Sequence, residues 1–309
     1  MDKKLNVVMI TIDSQRADHL GCYGYPHATS PNLDKLAGEG ALAEQFYCSA
    51  IPTHPSYTTL YTGQHAIRHK IVAHAGTNVL SREAPFLSEF FLDEGYNTCA
   101  ADNLMRARGW FGRGYEFYLD SSIRRPLVVN VTCEDIDNRV LPWLRAHAGD
   151  PFFLFLHYWD PHYPFTPPSG YRHLFYDGDN PTDPENHTLD EWWDYPFGMI
   201  ARDTWLRTPE GPITDPEYVR ALYNQETRYL DDNLANLLGT LDDLGLTEDT
   251  LVLVVADHGE SMTEHGVFYE HHGLYDCVLH IPLLARLPGR IPAGLRLPQT
   301  LQMQDVAPT

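Results

Sequence analysis

Two things are scarce in this sequence of 309 residues: long hydrophobic runs and basic side chains. No stretch approaches the roughly 18 consecutive apolar residues of a membrane-spanning helix, so we expect no membrane span. Lysine and arginine together number 22, against 42 aspartates and glutamates, and the net charge is −20. Because nucleic-acid phosphates require a basic surface, this balance argues against a nucleic-acid partner. The 43% of hydrophobic residues can still bury a large core.

Cysteine is also scarce. The five cysteines are odd in number, widely spaced and without a CxxC pair: Cys22, Cys48, Cys99, Cys133 and Cys277. This pattern favours reduced thiols over a disulfide framework, and reduced thiols are typical of cytosolic proteins. Residues 1–4 lead straight into an apolar segment, with no signal-peptide pattern. We therefore expect a cytoplasmic protein.

Apolar runs alternate with amphipathic segments along the chain. The predicted strands cover residues 5–12, 41–48, 97–101, 151–159 and 250–256. The predicted helices begin near residues 31 and 85, and a long helix starts at Pro216 behind Asp215 as its cap. Continuous apolar strands alternating with helices are typical of an α/β fold, with a mostly parallel sheet and helices on both faces.

Residues 171–212 differ in character from the rest of the chain. They are rich in proline, aspartate and aromatic residues and show no clear periodicity. A long irregular segment inside a compact domain is usually functional or poorly ordered. We expect an excursion over one edge of the site, in which Trp192, Trp193 and Trp205 either stack on sugar rings or pack into the core.

Acidic residues and a histidine follow two of the predicted strands. Asp13 comes directly after the first strand, and Asp257 and His258 follow the strand at 250–256. Ligands of open α/β sheets bind beyond the carboxyl ends of the strands. Two carboxylates and an imidazole gathered there predict a divalent-metal site. For Asp13 alone, a helix cap or a turn residue is the alternative.

Thr53 precedes a predicted helix with Pro55 in its first turn. The start of a helix offers unpaired amide donors and the positive end of the dipole, which favour a tetrahedral anion. A hydroxyl that also contacts a metal ion has a lowered pKa and becomes a nucleophile. The alternative is that Thr53 is only an N-cap.

Two further segments carry histidines. His157 and His162 lie in or after the strand at 151–159, and we expect His157 to be a structural residue held by a backbone carbonyl. His271 and His272 follow Asp257 on a loop. The alternatives for them are binding of a leaving group, binding of a second metal, or no ligand at all.

Four segments together resemble the sulfatase family of the alkaline phosphatase superfamily, in the family's order and over nearly the whole chain. They read NVVMITIDSQRADHLGCYG, THPSYTTLYTG, HYWDPHYPF and VVADHGESMTEHGVFYEHHGLYD followed by HIPLLARLPG. The resemblance implies a three-layer α/β sandwich with a mostly parallel central sheet, as one catalytic domain over residues 1–309. It also implies that the smaller C-terminal subdomain of the family is largely absent and that the chain is truncated there.

The resemblance assigns roles to individual positions. Asp13, Asp257 and His258 match metal ligands, and Thr53 matches the nucleophile, which also contacts the metal. His162 matches the histidine that contacts the sulfuryl or phosphoryl oxygens. Either His271 or His272 matches a cationic residue that also contacts these oxygens, and the spacing does not decide between the two histidines.

The nucleophile motif departs from the family. Sulfatases carry cysteine or serine within C/S-x-P-x-R and oxidise it to formylglycine, whereas this chain has Thr53 and places Tyr57 at the arginine position. Threonine cannot give that aldehyde, so we expect no formylglycine. No C-x-P-x-R follows Cys48, so Cys48 does not restore the motif.

Two other positions depart as well. Ser14 stands where a second acidic ligand often follows the first, and Asp102 and Asn103 stand where sulfatases often place a lysine and a histidine. The nitrogen ligand of His258 favours manganese or zinc, with calcium and magnesium as alternatives. A second metal bound by Asp160, His162 and His272 is a further alternative.

A threonine nucleophile resembles the phosphodiesterases and phosphoethanolamine transferases of the superfamily, which form a phosphothreonine intermediate. We therefore expect a hydrolase of small anionic esters, sulfated or phosphorylated on a sugar, an aryl group or a lipid headgroup, with phosphoesters preferred. A true sulfuric ester hydrolase and a non-catalytic relative that binds anions or glycans are the two alternatives. The sequence leaves the oligomeric state open.

Overall fold

The computed structural model describes residues 4–124 and 131–309. Eight of its strands form one central sheet and two form a separate short hairpin. The sheet strands and the hairpin strands (β6 and β7) are, in chain order, β1 (Asn6–Ile12), β2 (Ala41–Tyr47), β3 (Asn97–Ala101), β4 (Phe117–Tyr118), β5 (Phe152–Tyr158), β6 (Arg207–Thr208), β7 (Gly211–Pro212), β8 (Thr250–Ala256), β9 (Leu283–Arg286) and β10 (Leu295–Gln302).

The central sheet is mostly parallel, as predicted. Its strand order is β10-β2-β9-β8-β1-β5-β3-β4. Among the described strands of this sheet, β9 alone runs antiparallel, between β2 and β8. β1 and β5 are buried along their whole length, because helices cover both faces of the sheet. The strands predicted from the sequence all form, with ends that agree within one residue.

Helices form the two outer layers. In chain order they are α1 (Pro31–Glu39), α2 (Thr53–Thr62), α3 (Ala66–His69), α4 (Leu87–Asp93), α5 (Cys133–His147), α6 (Asp190–Trp193), α7 (Pro196–Asp203), α8 (Pro216–Asp243) and α9 (Asp276–Leu279). The long helix α8 packs against α1 and α5, and α2 packs against α3 and α4. The side chain of Asp215 caps α8 by accepting a hydrogen bond from the amide of Glu217. The expected three-layer α/β sandwich is therefore confirmed.

The irregular segment 171–212 is organised around its own apolar cluster. It contains α6, α7 and the β6–β7 hairpin. Trp192 is 3% exposed and Trp193 is 9% exposed, so both belong to this second core rather than to a free stacking surface. Trp205 is only partly buried at the edge of the cluster. The segment packs on the first part of α8 through Val219, Leu222 and Tyr223.

Within the described ranges, the helices are all too short or too polar to traverse a lipid bilayer. The five cysteines are unpaired.

Candidate active site

Three neighbouring parallel strands bring the predicted site residues to one edge of the sheet. β1 lies between β5 and β8, and Ile12 at its end pairs with Tyr158 on one side and Ala256 on the other. Asp13 and Asp257 follow these last paired positions, so the strand register places them side by side. The amide of Asp13 donates a 2.9 Å hydrogen bond to the carbonyl of Tyr158, which fixes the exit from β1.

Asp13, Asp257 and His258 form a buried cluster suited to a cation. Each offers one ligand atom, and the three atoms lie within 4.8 Å of one another. No side chain of the three is more than 1% exposed, and Asp257 Oδ2 has no hydrogen-bond partner. Burial and the charge of Asp13 raise the pKa of Asp257, because two close carboxylates repel each other. A divalent cation removes that repulsion and gives the orphaned oxygen a partner, so the donor set fits a metal ion.

The turns after β1 and β8 hold these ligands in place. Ser14 adopts a φ of 57°, and its amide donates a 3.1 Å hydrogen bond to Asp257 Oδ1. The hydroxyl of Ser14 donates a 3.0 Å hydrogen bond to Asp13 Oδ1. A Cβ on Gly259 would lie 2.1 Å from the carbonyl oxygen of Cys277, so the turn after β8 requires glycine. Ser14 thus supplies hydrogen bonds to the two acids where the resemblance expected a third acid.

Thr53 is the first residue of α2 and lies beside the cluster. Its Oγ1 is 3.3 Å from His258 Nε2, and the residue is 2% exposed. The alternative that Thr53 is the N-cap is wrong, because Pro52 occupies the cap position. The start of this ten-residue helix adds unpaired amide donors and a positive partial charge next to the hydroxyl.

The rest of the first turn of α2 anchors the helix to the sheet. Ser56 Oγ donates a 2.6 Å hydrogen bond to the carbonyl of Asp257. Tyr57 is fully buried, donates a 3.1 Å hydrogen bond to Thr11 Oγ1, and has its ring 4.8 Å from that of His157. Burial raises the pKa of Tyr57. The arginine position of the family motif therefore holds a neutral anchoring group.

His157 is a site residue that the sequence reading missed. The expectation of a backbone carbonyl partner is wrong: Nδ1 lies 2.8 Å from Asp102 Oδ1, and Nε2 lies 3.2 Å from Asp13 Oδ2. Burial lowers the pKa of His157, but the two carboxylates outweigh burial and raise it to about 9. Tyr118 also donates a 2.6 Å hydrogen bond to Asp102. Asp102 is the residue that could have indicated this role of His157 from the sequence, because a buried carboxylate is stable only beside a cation or a hydrogen-bond donor.

The structure separates the two adjacent histidines of the 267–273 loop. His271 is 5% exposed, and its ring stacks on that of His258 with centroids 4.1 Å apart. Burial lowers the pKa of His271, but Glu260, whose Oε2 lies 3.6 Å from Nδ1, raises it to about 9. The side chain of His272 is 74% exposed and lies 3.5 Å from Glu270. His271 is therefore in the cluster and His272 is on the surface.

His162 lies on the far side of His271. The two ring centroids are 6.2 Å apart. Nδ1 of His162 donates a 2.5 Å hydrogen bond to the carbonyl of Tyr163, which leaves Nε2 as the other functional nitrogen. Burial lowers the pKa of His162. His162 thus joins the group of imidazoles around Asp13 and His258.

The second metal site expected at Asp160, His162 and His272 does not form. Asp160 Oδ2 accepts a 2.8 Å hydrogen bond from the amide of Cys133, and Asp160 also hydrogen-bonds with Glu226 of α8. His272 is exposed, as described above. In residues 4–124 and 131–309, Asp13, Asp257 and His258 are the only cluster with metal-ligand spacing.

The fold and the site together define a class: a mostly parallel α/β sandwich with a cluster of candidate metal ligands at its strand ends and a hydroxyl at the start of a helix. The sulfatase family profile matches residues 5–309. The chain therefore belongs to the sulfatase family.

Comparison with known proteins agrees with this assignment. The chain is 26% identical to human iduronate 2-sulfatase, over 93% of the chain and 60% of that protein. It is also 26% identical to the uncharacterized sulfatase YidJ of Escherichia coli K12, over 93% of the chain and 63% of that protein. The chain thus spans about three-fifths of the length of these relatives.

Solved structures share the fold. The phosphonate monoester hydrolase of Agrobacterium radiobacter has a TM-score of 0.77 at 22% identity, over 99% of this chain and 73% of that one. BT4656, solved with its substrate D-glucosamine-2-N,6-O-disulfate, has a TM-score of 0.76 at 18% identity, over 99% of this chain and 76% of that one. At such identities the likeness concerns the fold alone.

Proposed function

We propose that this chain is the catalytic part of a metal-dependent hydrolase of small anionic esters, with Thr53 as nucleophile and with phosphoesters preferred over sulfate esters. The observation that carries the proposal is the position of Thr53 Oγ1, 3.3 Å from His258 Nε2 and beside a buried carboxylate pair. Relatives named as sulfatases and a multifunctional alkaline phosphatase superfamily protein of Trinickia caryophylli support the reaction class.

Asp13, Asp257, His258 and Thr53 would hold the cation. When bound, a divalent ion lowers the pKa of the Thr53 hydroxyl and offsets the charge of the ester oxygens. The imidazole nitrogen among oxygen donors favours manganese or zinc over calcium or magnesium.

The side chains around the cluster would bind the ester oxygens and position the metal ligands. His162 and His271 lie where they can contact the ester oxygens, and the raised pKa of His271 keeps it cationic near neutral pH. The start of α2 offers amide donors to the same anion. His157 bridges Asp13 and Asp102 and so acts as a positioning residue for the first ligand.

Threonine chemistry favours phosphorus over sulfur. In the first step the Thr53 hydroxyl loses its proton to solvent and a bond forms between Oγ and phosphorus, while the bond from phosphorus to the leaving oxygen breaks and that oxygen departs with the electron pair. Water then cleaves the phosphothreonine and restores the hydroxyl. A sulfated threonine lacks the hemiacetal through which formylglycine expels sulfate, so the same two steps serve sulfate esters poorly.

The direct test compares wild-type protein with Thr53→Ala and Thr53→Ser. Each protein is loaded with Mn²⁺ or Zn²⁺ and assayed on nitrophenyl phosphate, bis-nitrophenyl phosphate and nitrophenyl sulfate. We expect phosphoester turnover in the wild type, no measurable turnover in Thr53→Ala, and partial turnover in Thr53→Ser because a hydroxyl remains. Full activity of Thr53→Ala would overturn the proposal.

A true sulfate ester hydrolase is the second candidate, and the sulfatase names among the relatives favour it. Sulfate release that exceeds phosphate release in the same assay would select it. A non-catalytic relative would show neither. A relative that has lost its metal site would have its former ligands more than about 8 Å apart, whereas here the three candidate ligand atoms lie within 4.8 Å of one another. This distance argues against the non-catalytic alternative.

A further inference from the structure

A cavity of about 700 Å³ lies between the loop that follows β5, the first turns of α8 and the irregular segment 171–212. The reaction described above does not use it. Its volume lies within the range of small-molecule sites. Aromatic side chains form much of its wall: Tyr163, Phe165, Phe197, Trp205 and Tyr218.

The cavity is cationic in an otherwise acidic protein. Arg172 and Arg207 are the charged residues among its described lining, and no aspartate or glutamate lines it, although the chain carries a net charge of −20. Nε of Arg172 donates a 3.2 Å hydrogen bond to the carbonyl of Pro167, which holds its guanidinium in place. In the part of the chain that the structure describes, no carboxylate pairs with Arg207. Arginines beside aromatic walls recognise a ring that carries an anionic group.

The cavity adjoins the candidate active site through Tyr163. The ring centroids of His271 and His162 are 6.2 Å apart, and those of His162 and Tyr163 are 4.3 Å apart. On the cavity side, the ring of Tyr163 lies 4.8 Å from that of Phe197. The cavity therefore borders the histidines of the candidate active site.

We propose that this cavity binds the organic portion of the ester, and that this portion is a ring carrying a second anionic group, a carboxylate or a sulfate, held by Arg207 and Arg172. This inference rests on the proposed function and specifies the substrate class of the same site. The aromatic side chains contact the ring, and the two guanidinium groups select the charge at its far end.

Two matched substrates test the charge requirement. 4-Carboxyphenyl phosphate carries the second anion, and its methyl ester keeps the ring and removes the charge. We expect wild-type kcat/KM to favour the carboxylate. Arg207→Gln should lower kcat/KM for the carboxylate by about 10- to 100-fold, the range for one charge-assisted hydrogen bond, and leave the methyl ester within about twofold.

Arg202→Gln is the matched control. Arg202 is a partly exposed arginine of α7 whose Nε lies 3.1 Å from Asp203 Oδ1, and it does not line the cavity. This variant should treat both substrates as the wild type does. Equal loss on both substrates in Arg207→Gln, or no loss on either, would overturn the proposal.

A binding measurement separates this inference from the proposed function. Calorimetry with 4-hydroxybenzoate, a product of the test reaction, needs no turnover; we expect binding that weakens in Arg207→Gln and in Arg172→Gln but not in Arg202→Gln. Arginine-dependent binding without ester turnover supports the cavity and contradicts the proposed function. Turnover with no preference for the carboxylate, or no arginine-dependent binding, contradicts the cavity and leaves the reaction intact.

Discussion

The cluster of Asp13, Asp257 and His258 and the arginine-lined cavity adjoin each other, but they are built in different ways. Asp13 and Asp257 follow fully paired, buried strands, so the sheet register fixes their separation. The cavity is walled largely by the irregular segment 171–212, where residues such as Ile200 are 59% exposed. Loops carried by a rigid scaffold change sequence at little cost to the core. Under the proposals above, the strands carry the reaction and the irregular segment selects the substrate.

Removal of a strand-end ligand should have the largest effect. Asp257→Asn takes away the orphaned carboxylate oxygen, so we expect loss of bound metal and a fall in kcat/KM on the order of 10³-fold or more. Metal analysis and steady-state kinetics measure both. Asp243→Asn, an exposed acid at the end of α8, is the control and should behave as wild type. Retention of metal by Asp257→Asn would place the cation elsewhere.

Damage to the second apolar cluster should affect substrate choice and leave the metal in place. Leu206 is fully buried next to Arg207, and Leu206→Ala should destabilise the segment by about 2–5 kcal/mol. Hydrogen exchange should rise in residues 190–213, and the preference for 4-carboxyphenyl phosphate over its methyl ester should fall. Metal content should not change. Loss of metal in this variant would break the proposed division between the two regions.

The sheet and the cation cluster could be predicted because both follow from short-range patterns. Continuous apolar runs such as residues 250–256 predicted strands, and the acids directly after them predicted candidate metal ligands at one sheet edge. Helix α5 and strand β10 were not predicted. α5 has an apolar face at helical spacing but carries Pro142 in its interior, and β10 is mostly exposed with Pro298 within it, so a proline argued against each element.

The remaining site features depend on contacts between distant parts of the chain. In the sequence His157 looks like an ordinary strand residue. Its contact with Asp102 arises only because β3 pairs with β5 in the fold. The choice between His271 and His272 depended on which ring stacks on His258, which spacing alone could not settle. The arginine-lined cavity joins positions 163, 172 and 207, and no local pattern relates them.

A smaller effect is expected at Asp102. Asp102→Asn keeps an acceptor for His157 Nδ1 but removes the charge that holds the imidazole against Asp13. Loss of such a supporting group typically costs about 10–100-fold in metal affinity or activity. Metal titration and kcat/KM report the change, with Asp150→Asn as an exposed control. A fall in thermal stability with unchanged metal affinity would make Asp102 purely structural.

The smallest effect concerns the contact that joins the two regions. Asp160 at the end of β5 hydrogen-bonds with Glu226 of α8, whose Oε1 accepts a 2.7 Å hydrogen bond from the amide of Thr166. Burial raises the pKa of Asp160 to about 6 and raises that of Glu226 as well. The folded pair therefore keeps protons that the unfolded chain releases near pH 4. The stability that comes from Asp160 is lost as the pH rises through about 6, and the stability that comes from Glu226 is lost at higher pH.

Glu226→Gln removes the proton-binding group and keeps the hydrogen bonds. As the pH rises from 5 to 8, the wild type should lose more of its unfolding free energy than Glu226→Gln does, by about 1.4 kcal/mol for each pH unit over which the folded Glu226 still holds its proton. Denaturant unfolding at several pH values measures the difference. Glu248→Gln, an exposed acid, should follow the wild type. Parallel pH profiles for wild type and Glu226→Gln would contradict the retained proton.

The covalent state of Thr53 during turnover tests the central claim most directly. Wild-type protein loaded with Mn²⁺ or Zn²⁺ is mixed with excess phosphoester, quenched in acid within the first turnovers, digested and analysed by mass spectrometry. We predict a phosphate group on Thr53, found on no other residue and absent when the metal is removed. Sustained turnover with Thr53 unmodified, or with formylglycine found elsewhere in the chain, would contradict the assignment of Thr53 as the nucleophile.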